Sequence, residues 1–379
     1  MGERFFDLSI ISGGILSMSI SKAPGMNGYL ELEDGTVFEG QLFGDCSRAD
    51  GEVVFNTGMV GYVESLSDPS YRGQILAFAY PLIGNYGVPP EDSGRFESDR
   101  VQVKGSVISS PLDDHSHWEA GRSLDRWLME NGVPGISGVD TRALTKRLRE
   151  KGTMLGRIVP AGNGIEDFRV EDPNLRDLVS EVTPENVSIS NPEGKGPRIT
   201  VVDCGCKRSI VRELIIRDCR VSIVPYDHDI TSVDSDGILL SNGPGDPKLC
   251  KRTIDSVRRA MEKHLPIGGI CLGSQLMALA AGADTYKLPF GHRSQNQPCR
   301  EVGTDHCVIT SQNHGFAVEE STLPKDWKVW FRNLNDNTVE GIIHRELPFL
   351  SVQFHPEANP GPTDPNVFFE RFLEVVRNG

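Results

Sequence analysis

Gly269-Ile270-Cys271-Leu272-Gly273 is the stretch that decides the fold. It follows the apolar approach Leu265-Pro266-Ile267-Gly268 and precedes the helix-like run Ser274-Gln275-Leu276-Met277-Ala278-Leu279-Ala280-Ala281. The pattern reads as strand, sharp turn, helix, with a thiol on the turn and a glycine two residues to either side. Glycine suits those positions because a backbone bent so tightly leaves no room for Cβ atoms. A cysteine at a helix N-terminus feels the positive end of the helix dipole, which favours thiolate over thiol. The free N–H groups of the first turn also suit an oxyanion. A buried structural cysteine is the competing reading, and the rest of the chain decides between them.

Upstream of this elbow, strand-like and helix-like runs alternate. Ile199-Thr200-Val201-Val202-Asp203, Arg220 to Val224 and Gly237-Ile238-Leu239-Leu240-Ser241 read as strands. Arg208 to Asp218 and Thr253 to His264 read as helices. The expectation for 198–379 is therefore an open, mostly parallel α/β sheet with helices on both faces. Ligands of such sheets bind at the carboxyl ends of the strands, where the loop after Leu240 and the Cys271 turn both fall. Residues 181–197, rich in Pro, Gly, Ser and Thr, read as a linker. Residues 26–180 predict a strand-rich mixed α/β domain. The alternation from Tyr29 to Gly40 around Asp34-Gly35 is a hairpin signal. Val53-Val54-Phe55 and Ile75 to Tyr80 are further strands, and Ser123 to Glu130 and Asp140 to Lys151 are capped helices. Residues 1–25 are expected to be a flexible extension, with Met26 the functional start.

The chain of 379 residues carries 39 basic and 53 acidic side chains, a net charge of −14. Such an acidic balance argues against nucleic acid, whose phosphates demand Lys and Arg. No apolar run approaches the roughly 20 residues needed to span a bilayer. Eight cysteines show no disulfide framework, which points to reduced thiols and a cytoplasmic setting. No metal centre is expected. Cys204-x-Cys206 lacks further paired ligands, and Asp113-Asp114-His115-Ser116-His117 reads as a solvated loop.

A cysteine nucleophile needs a base, and the base needs an orienting partner. Phe349-Leu350-Ser351-Val352-Gln353-Phe354-His355-Pro356-Glu357 ends a strand-like run on a histidine, with a carboxylate two residues on. An extended backbone brings Glu357 back to the His355 ring. For an oxyanion, Leu272 N–H is one donor by the elbow geometry. The rigid loop Ser241-Asn242-Gly243-Pro244-Gly245-Asp246-Pro247 can present a second.

Elbow cysteine, Gly-Pro-Gly loop and His-x-Glu, in this order, resemble the class I glutamine amidotransferases over about 199–379. GEVVFNTGMVGY (51–62), SDPSYRGQI (67–75), IGNYGV (83–88) and GVDTRALTKRLREKG (138–152) are similar to the small, glutaminase subunit family of carbamoyl-phosphate synthetases. So are GHRSQNQP (291–298), QNHGFAV (312–318) and FHPEANPGPTD (354–364). The resemblance runs from about Met26 to the end.

What the resemblance implies is specific. Cys271 attacks the glutamine carboxamide and forms a thioester, His355 shuttles the proton, and Glu357 fixes the imidazole tautomer. Gly243 and Leu272 donate backbone N–H groups to the oxyanion. Gly243, Gly245, Leu272, Gln275, Asn313, Gly315, Phe316 and, from the leading domain, Ser47 hold glutamine. His314 shapes the loop beside Asn313. Position 274 is Ser where family members frequently carry His. The chain contains no GxxxxGK[ST] loop, so ATP and Mg are implied for a large synthetase partner, docked through residues 26–180. No cofactor is expected in this chain. A heterodimer, or a higher assembly of heterodimers, is the implied state. Two other readings share these features: a glutaminase serving a different synthase, and a non-catalytic docking subunit. Loss of Cys271, His355 or Glu357 would mark the latter, and all three are present.

Overall fold

The computed structural model describes residues 26–110, 115–162 and 167–378. The expectation for residues 1–25 lies outside the described residues, as do Asp113 and Asp114 of the polar loop.

The first half is built on the predicted hairpin. β1 (Asn27–Leu32) and β2 (Val37–Gly44) pair antiparallel, and Asp34 Oδ1 accepts Thr36 N–H at 3.0 Å in the turn. They join β3 (Ala49–Asn56), β4 (Gln74–Phe78), β5 (Gly105–Val107), β6 (Pro134–Ser137) and β7 (Met154–Pro160) in a closed barrel of order β1-β2-β6-β5-β4-β3-β7. Closure leaves no unpaired sheet edge. It was not part of the sequence reading, because β3–β4, β4–β5 and β5–β6 are parallel pairs between strands far apart in the chain.

Short helices cover the barrel: α1 (Tyr62–Ser67), α2 (Leu124–Glu130) and α3 (Thr141–Lys151). Ser123 and Asp140 cap α2 and α3 by accepting the N–H of Arg126 and Ala143. Leu144 and Leu148 of α3 meet Leu30, Val53, Ile75, Val107, Ile136 and Ile158 in one core. Each such leucine stabilises by about 1.5–3 kcal/mol.

The second half holds β8 (Ser188–Ser190), β9 (Arg198–Asp203), β10 (Arg220–Pro225), β11 (Gly237–Leu240), β12 (Ile267–Ile270), β13 (Asp284–Glu301), β14 (Cys307–Glu319), β15 (Trp327–Asn333), β16 (Val339–His344) and β17 (Phe349–Val352). They form a ten-stranded sheet of order β14-β13-β15-β16-β17-β12-β11-β9-β10-β8. β17, β12, β11, β9 and β10 are mutually parallel; every other pairing is antiparallel. The expectation of a mostly parallel sheet therefore needs correcting: the parallel strands are a centre flanked by an antiparallel wing. The wing is hairpin-connected and needs no crossover helices, so it leaves no strand–helix alternation in the sequence. The stretch read as a linker also contributes β8, a short edge strand on β10.

Side chains of the central strands alternate between two cores. Val202, Leu240 and Ile267 join α5 (Lys251–Glu262) and α6 (Leu272–Ala281) through Val257, Leu276 and Met277. Val201, Leu239 and Leu350 join α4 (Arg208–Ile216) and α7 (Val367–Asn378) through Ile210, Leu214, Phe369 and Phe372. β12 and β17 end side by side, which carries Cys271 and His355 to the same end of the sheet. Among the described residues, no helix is long and apolar enough to cross a membrane.

Candidate active site

Cys271 sits between β12 and α6 with φ 55° and ψ −106°, a backbone conformation that non-glycine residues rarely adopt. The neighbouring glycines are there for clearance. A Cβ on Gly269 would come within 2.7 Å of Gly273 O, and one on Gly273 within 2.3 Å of Leu240 O. Cys271 N–H is tied to Val352 O of β17 at 2.9 Å. The buried thiol faces the Asn313 carbonyl oxygen at 3.6 Å.

His355 lies three residues beyond β17 and is fixed by its N–H to Ser311 O at 2.9 Å. Its Nδ1 meets Glu357 Oε1 at 2.6 Å, so Nδ1–H donates and Nε2 is the free basic nitrogen. Nε2 has no hydrogen-bond partner, although Cys271 is near enough to act on the ring. Glu357 Oε1 also accepts Lys207 Nζ at 2.9 Å, and Lys207 Nζ in turn reaches Ala358 O at 2.7 Å.

The electrostatics of this row are those of buried, mutually compensated charges. Burial alone would raise Glu357, but Lys207 and His355 outweigh it and bring it down to about 2. Burial would lower His355, but Glu357 and Cys271 outweigh it and raise it to about 10. Lys207 is likewise held above the usual lysine range against burial, by Glu357 first, then Glu97 and Asp68. The lysine stands directly after Cys206, and its partner is 150 residues away. Nothing in the sequence tied the two together, and the sequence reading missed Lys207.

A pocket opens in front of the thiol. Gly243, Gly245, Cys271, Leu272, Gln275, Asn313, Gly315 and Phe316 all line it. The structure thus brings together every predicted pocket residue except Ser47. Ser47 is exposed in the β2–β3 loop, its hydroxyl bonded to Asp45 Oδ2 at 2.5 Å. The serine that the barrel does supply is Ser70. It lies in SDPSY, where Asp68 accepts Ser70 N–H at 2.9 Å and starts a single helical turn, Pro69–Tyr71. That turn aims Ser70 across the junction between the halves, where its hydroxyl accepts Asn242 Nδ2 at 2.8 Å. Asp68 Oδ2 likewise accepts Asn313 Nδ2 at 2.9 Å. Glu52, Gln74, Lys287 and Arg293, all missed by the sequence reading, line the far end.

The family description "Carbamoyl-phosphate synthase small chain, CPSase domain" matches residues 30–158, and "Glutamine amidotransferase class-I" matches residues 200–375. The carbamoyl phosphate synthase arginine-specific small chain of Aspergillus oryzae is 47% identical over 360 residues, covering 91% of this chain and 79% of that protein. This chain belongs to the carbamoyl-phosphate synthase small-chain family. The multifunctional protein CAD of Squalus acanthias is 49% identical over 357 residues, 92% of this chain but 16% of that protein. The multifunctional protein pyr1-3 of Dictyostelium discoideum is 45% identical over 376 residues, 92% and 17% respectively. The chain thus spans less than a fifth of these multifunctional relatives.

Within this small-chain fold, Ser274 bonds Ser351 Oγ of β17 at 2.8 Å. The position that departs from the family pattern therefore ties α6 to the strand that precedes His355. His314 is buried, with Nδ1 donating to Phe316 O at 2.8 Å, which fits the loop-shaping part expected of it. Burial, first, and then His292 push it well below the usual histidine range.

Proposed function

We propose that this chain is the glutaminase subunit of a glutamine-hydrolysing carbamoyl-phosphate synthase. The observation that carries the proposal is Cys271 facing a pocket walled by both halves of a small-chain fold, beside the buried His355–Glu357 pair.

Glutamine enters with its carboxamide toward Cys271. Its amino-acid end meets Gln275, Asn313, Gly315, Phe316, Gly245 and, from the barrel, Ser70. Leaving buried polar groups unpaired is costly, so analogues lacking either charged group of that end are rejected. The sulfur swings from the Asn313 carbonyl toward His355 Nε2, and the thiol proton sits on that nitrogen in a thiolate–imidazolium pair, the charged form of His355 that Glu357 and Cys271 favour. The thiolate attacks the carboxamide carbon, and Leu272 and Gly243 N–H groups bind the oxyanion. His355 delivers the proton to the departing ammonia, leaving a γ-glutamyl thioester. Water, deprotonated by the same nitrogen, then releases glutamate. Glu357 holds the tautomer throughout, and Lys207 holds Glu357.

Ammonia passes along a shielded route to a large synthetase partner, since in open water it would escape or protonate. A small cavity behind His355, lined by Asn56, Asp68, Tyr71, Lys207 and Asn313, supports an exit away from the glutamine pocket. The partner uses ATP and Mg with bicarbonate to make carbamoyl phosphate for arginine and pyrimidine synthesis. The working state is a heterodimer, or an assembly of heterodimers, in the cytoplasm.

The test is glutamate release from glutamine by the full chain, alone and with its large subunit, in wild type and Cys271→Ser. The variant is expected to lose glutamine-dependent synthesis and to keep ammonia-dependent synthesis. Equal loss of both activities would sink the proposal. A stable wild-type complex that releases no glutamate would favour the docking-subunit reading instead.

A further inference from the structure

A second cluster of chemistry-bearing side chains lies behind the pocket wall, and the glutaminase reaction does not use it. His292 of β13, His314 of β14 and Glu340 of β16 converge there, with ligand-capable atoms all within 4.8 Å of one another. They are 7%, 4% and 0% exposed, so each is more than nine-tenths buried. His292 Nε2 meets Asp336 Oδ2 at 2.8 Å, so Nε2–H donates and Nδ1 is turned inward. There Nδ1 has no hydrogen-bond partner, and Glu340 Oε1 stands 3.4 Å away. His314 is anchored in the same way from its other nitrogen. Its Nδ1–H donates to Phe316 O, and its Nε2 faces Glu340 Oε1 at 3.9 Å.

Among the described residues, none donates a proton to His314 Nε2. Gln312 commits its amide N–H groups to Thr310 Oγ1 at 3.1 Å and Cys299 Sγ at 3.4 Å. Its oxygen is therefore what faces Nε2, at 3.2 Å. Glu340 Oε2 also lacks a partner. Two ring nitrogens, an amide oxygen and a carboxylate thus point at one buried spot. Glu340 Oε1 there already accepts Asn333 Nδ2 at 3.2 Å and Thr338 Oγ1 at 3.3 Å, yet its Oε2 and His292 Nδ1 stay open, and buried electron-rich atoms crowded together call for a cation.

We propose that His292 Nδ1, His314 Nε2 and Glu340 bind one divalent metal ion of the zinc class. Two imidazoles and a carboxylate are a zinc-type ligand set, and a tetrahedral ion about 2.1 Å from its donors separates them by about 3.4 Å. Each histidine donates its second ring N–H to a carboxylate or backbone carbonyl, the support that metal-bound histidines ordinarily have. The ion ties β13, β14 and β16 together behind the Asn313–Phe316 wall of the pocket. The proposal stands independently of the glutaminase reading and departs from the sequence expectation of no metal centre. The competing arrangement puts a proton on Nδ1, leaving a charged His292 between Asp336 and Glu340.

The test is metal analysis of the tag-free full chain after incubation with zinc and exchange into metal-free buffer. About one zinc per chain is expected in wild type and in Cys271→Ala, falling to about a tenth or less in Glu340→Gln and His292→Gln. Cobalt titrated into the metal-stripped wild-type chain is expected to give visible d–d bands that zinc abolishes, with no thiolate charge-transfer band. The cobalt spectrum decides the matter even if a variant fails to fold. Wild type that retains no metal, variants that retain it equally, or a thiolate band would each overturn the assignment.

Discussion

The two ends of the pocket in front of Cys271 are both lined by buried charge, and they are built differently. At the reacting end, Lys207, Glu357 and His355 all belong to the second half and bond one another at 2.6 to 2.9 Å. At the far end, Glu52 and Gln74 come from the barrel and Lys287 and Arg293 from the sheet. Glu52 accepts Lys287 Nζ at 2.7 Å and Gln74 Nε2 at 2.9 Å. Burial would raise it, but Lys287 and Arg293 bring it below the usual carboxylate range. Among the described residues, Gln74 Oε1 and Arg293 Nε are buried without a hydrogen-bond partner, and so are Glu357 Oε2 and His355 Nε2 at the reacting end. The reacting end is a row of charges from one half of the chain that fixes one imidazole and leaves its Nε2 open. The far end joins charged groups of both halves, which suits a site for a zwitterionic ligand. The difference predicts that disturbing the first end costs kcat and stability, while disturbing the second costs KM.

The largest break is Glu357→Gln. It leaves Lys207 and His355 as buried cations without their shared anion and removes the acceptor that holds the tautomer. Glutaminase kcat is expected to fall by about four orders of magnitude, as for the corresponding acid-to-amide change in a catalytic triad, with KM for glutamine little changed. Ammonia-dependent synthesis by the same complex should persist. An unchanged kcat would show that Glu357 does not orient the base.

Lys207→Met comes next. Breaking a buried ion pair from one side costs about 3–5 kcal/mol, to be read as a lower urea midpoint, with a kcat loss of about tenfold for a supporting residue. The pH dependence sharpens the point. Glu357 is held from 4.5 down to about 2, so its stabilisation is complete above pH 4.5 and is lost as pH falls through about 2. His355 is held from 6.5 up to about 10, so its share is complete below pH 6.5 and is lost as pH rises through about 10. Urea midpoints of wild type should therefore decline on both sides of that window. In Lys207→Met the acid decline should be shallower; an identical acid limb would refute the pairing.

The contrast between the two ends also marks what the sequence could reveal. Cys271, His355 and Glu357 were legible because each rule is local: a glycine-framed turn, a strand end, a carboxylate two residues on. The capped helices and the first hairpin were legible for the same reason. Lys207 was not, since a lysine after a strand reads as solvated until a carboxylate 150 residues away neutralises it. Barrel closure depended on parallel pairs between strands as short as Gly105–Val107, too short for their own period to show. Ser47 rested on the family resemblance, and Ser70 escaped notice because only the folded turn started by Asp68 aims its hydroxyl at the pocket. Long-range pairing, not local propensity, decided Lys207 and the barrel closure.

The smallest expected effect lies at the far end and is the most discriminating. Ser70→Ala removes the hydroxyl that accepts Asn242 Nδ2 and lines the pocket. One lost hydrogen bond is worth about 0.5–1.5 kcal/mol. KM for glutamine should therefore rise by roughly three- to tenfold with kcat retained, the pattern of lost uniform binding. Ser47→Ala, an exposed change in the β2–β3 loop, should leave both constants unmoved. If Ser70→Ala instead lowered kcat at constant KM, the barrel would be acting on the reacting end through Asn242, whose Oδ1 accepts Lys207 N–H at 3.0 Å. The two ends would then be one coupled network, and the division of labour between them would fail.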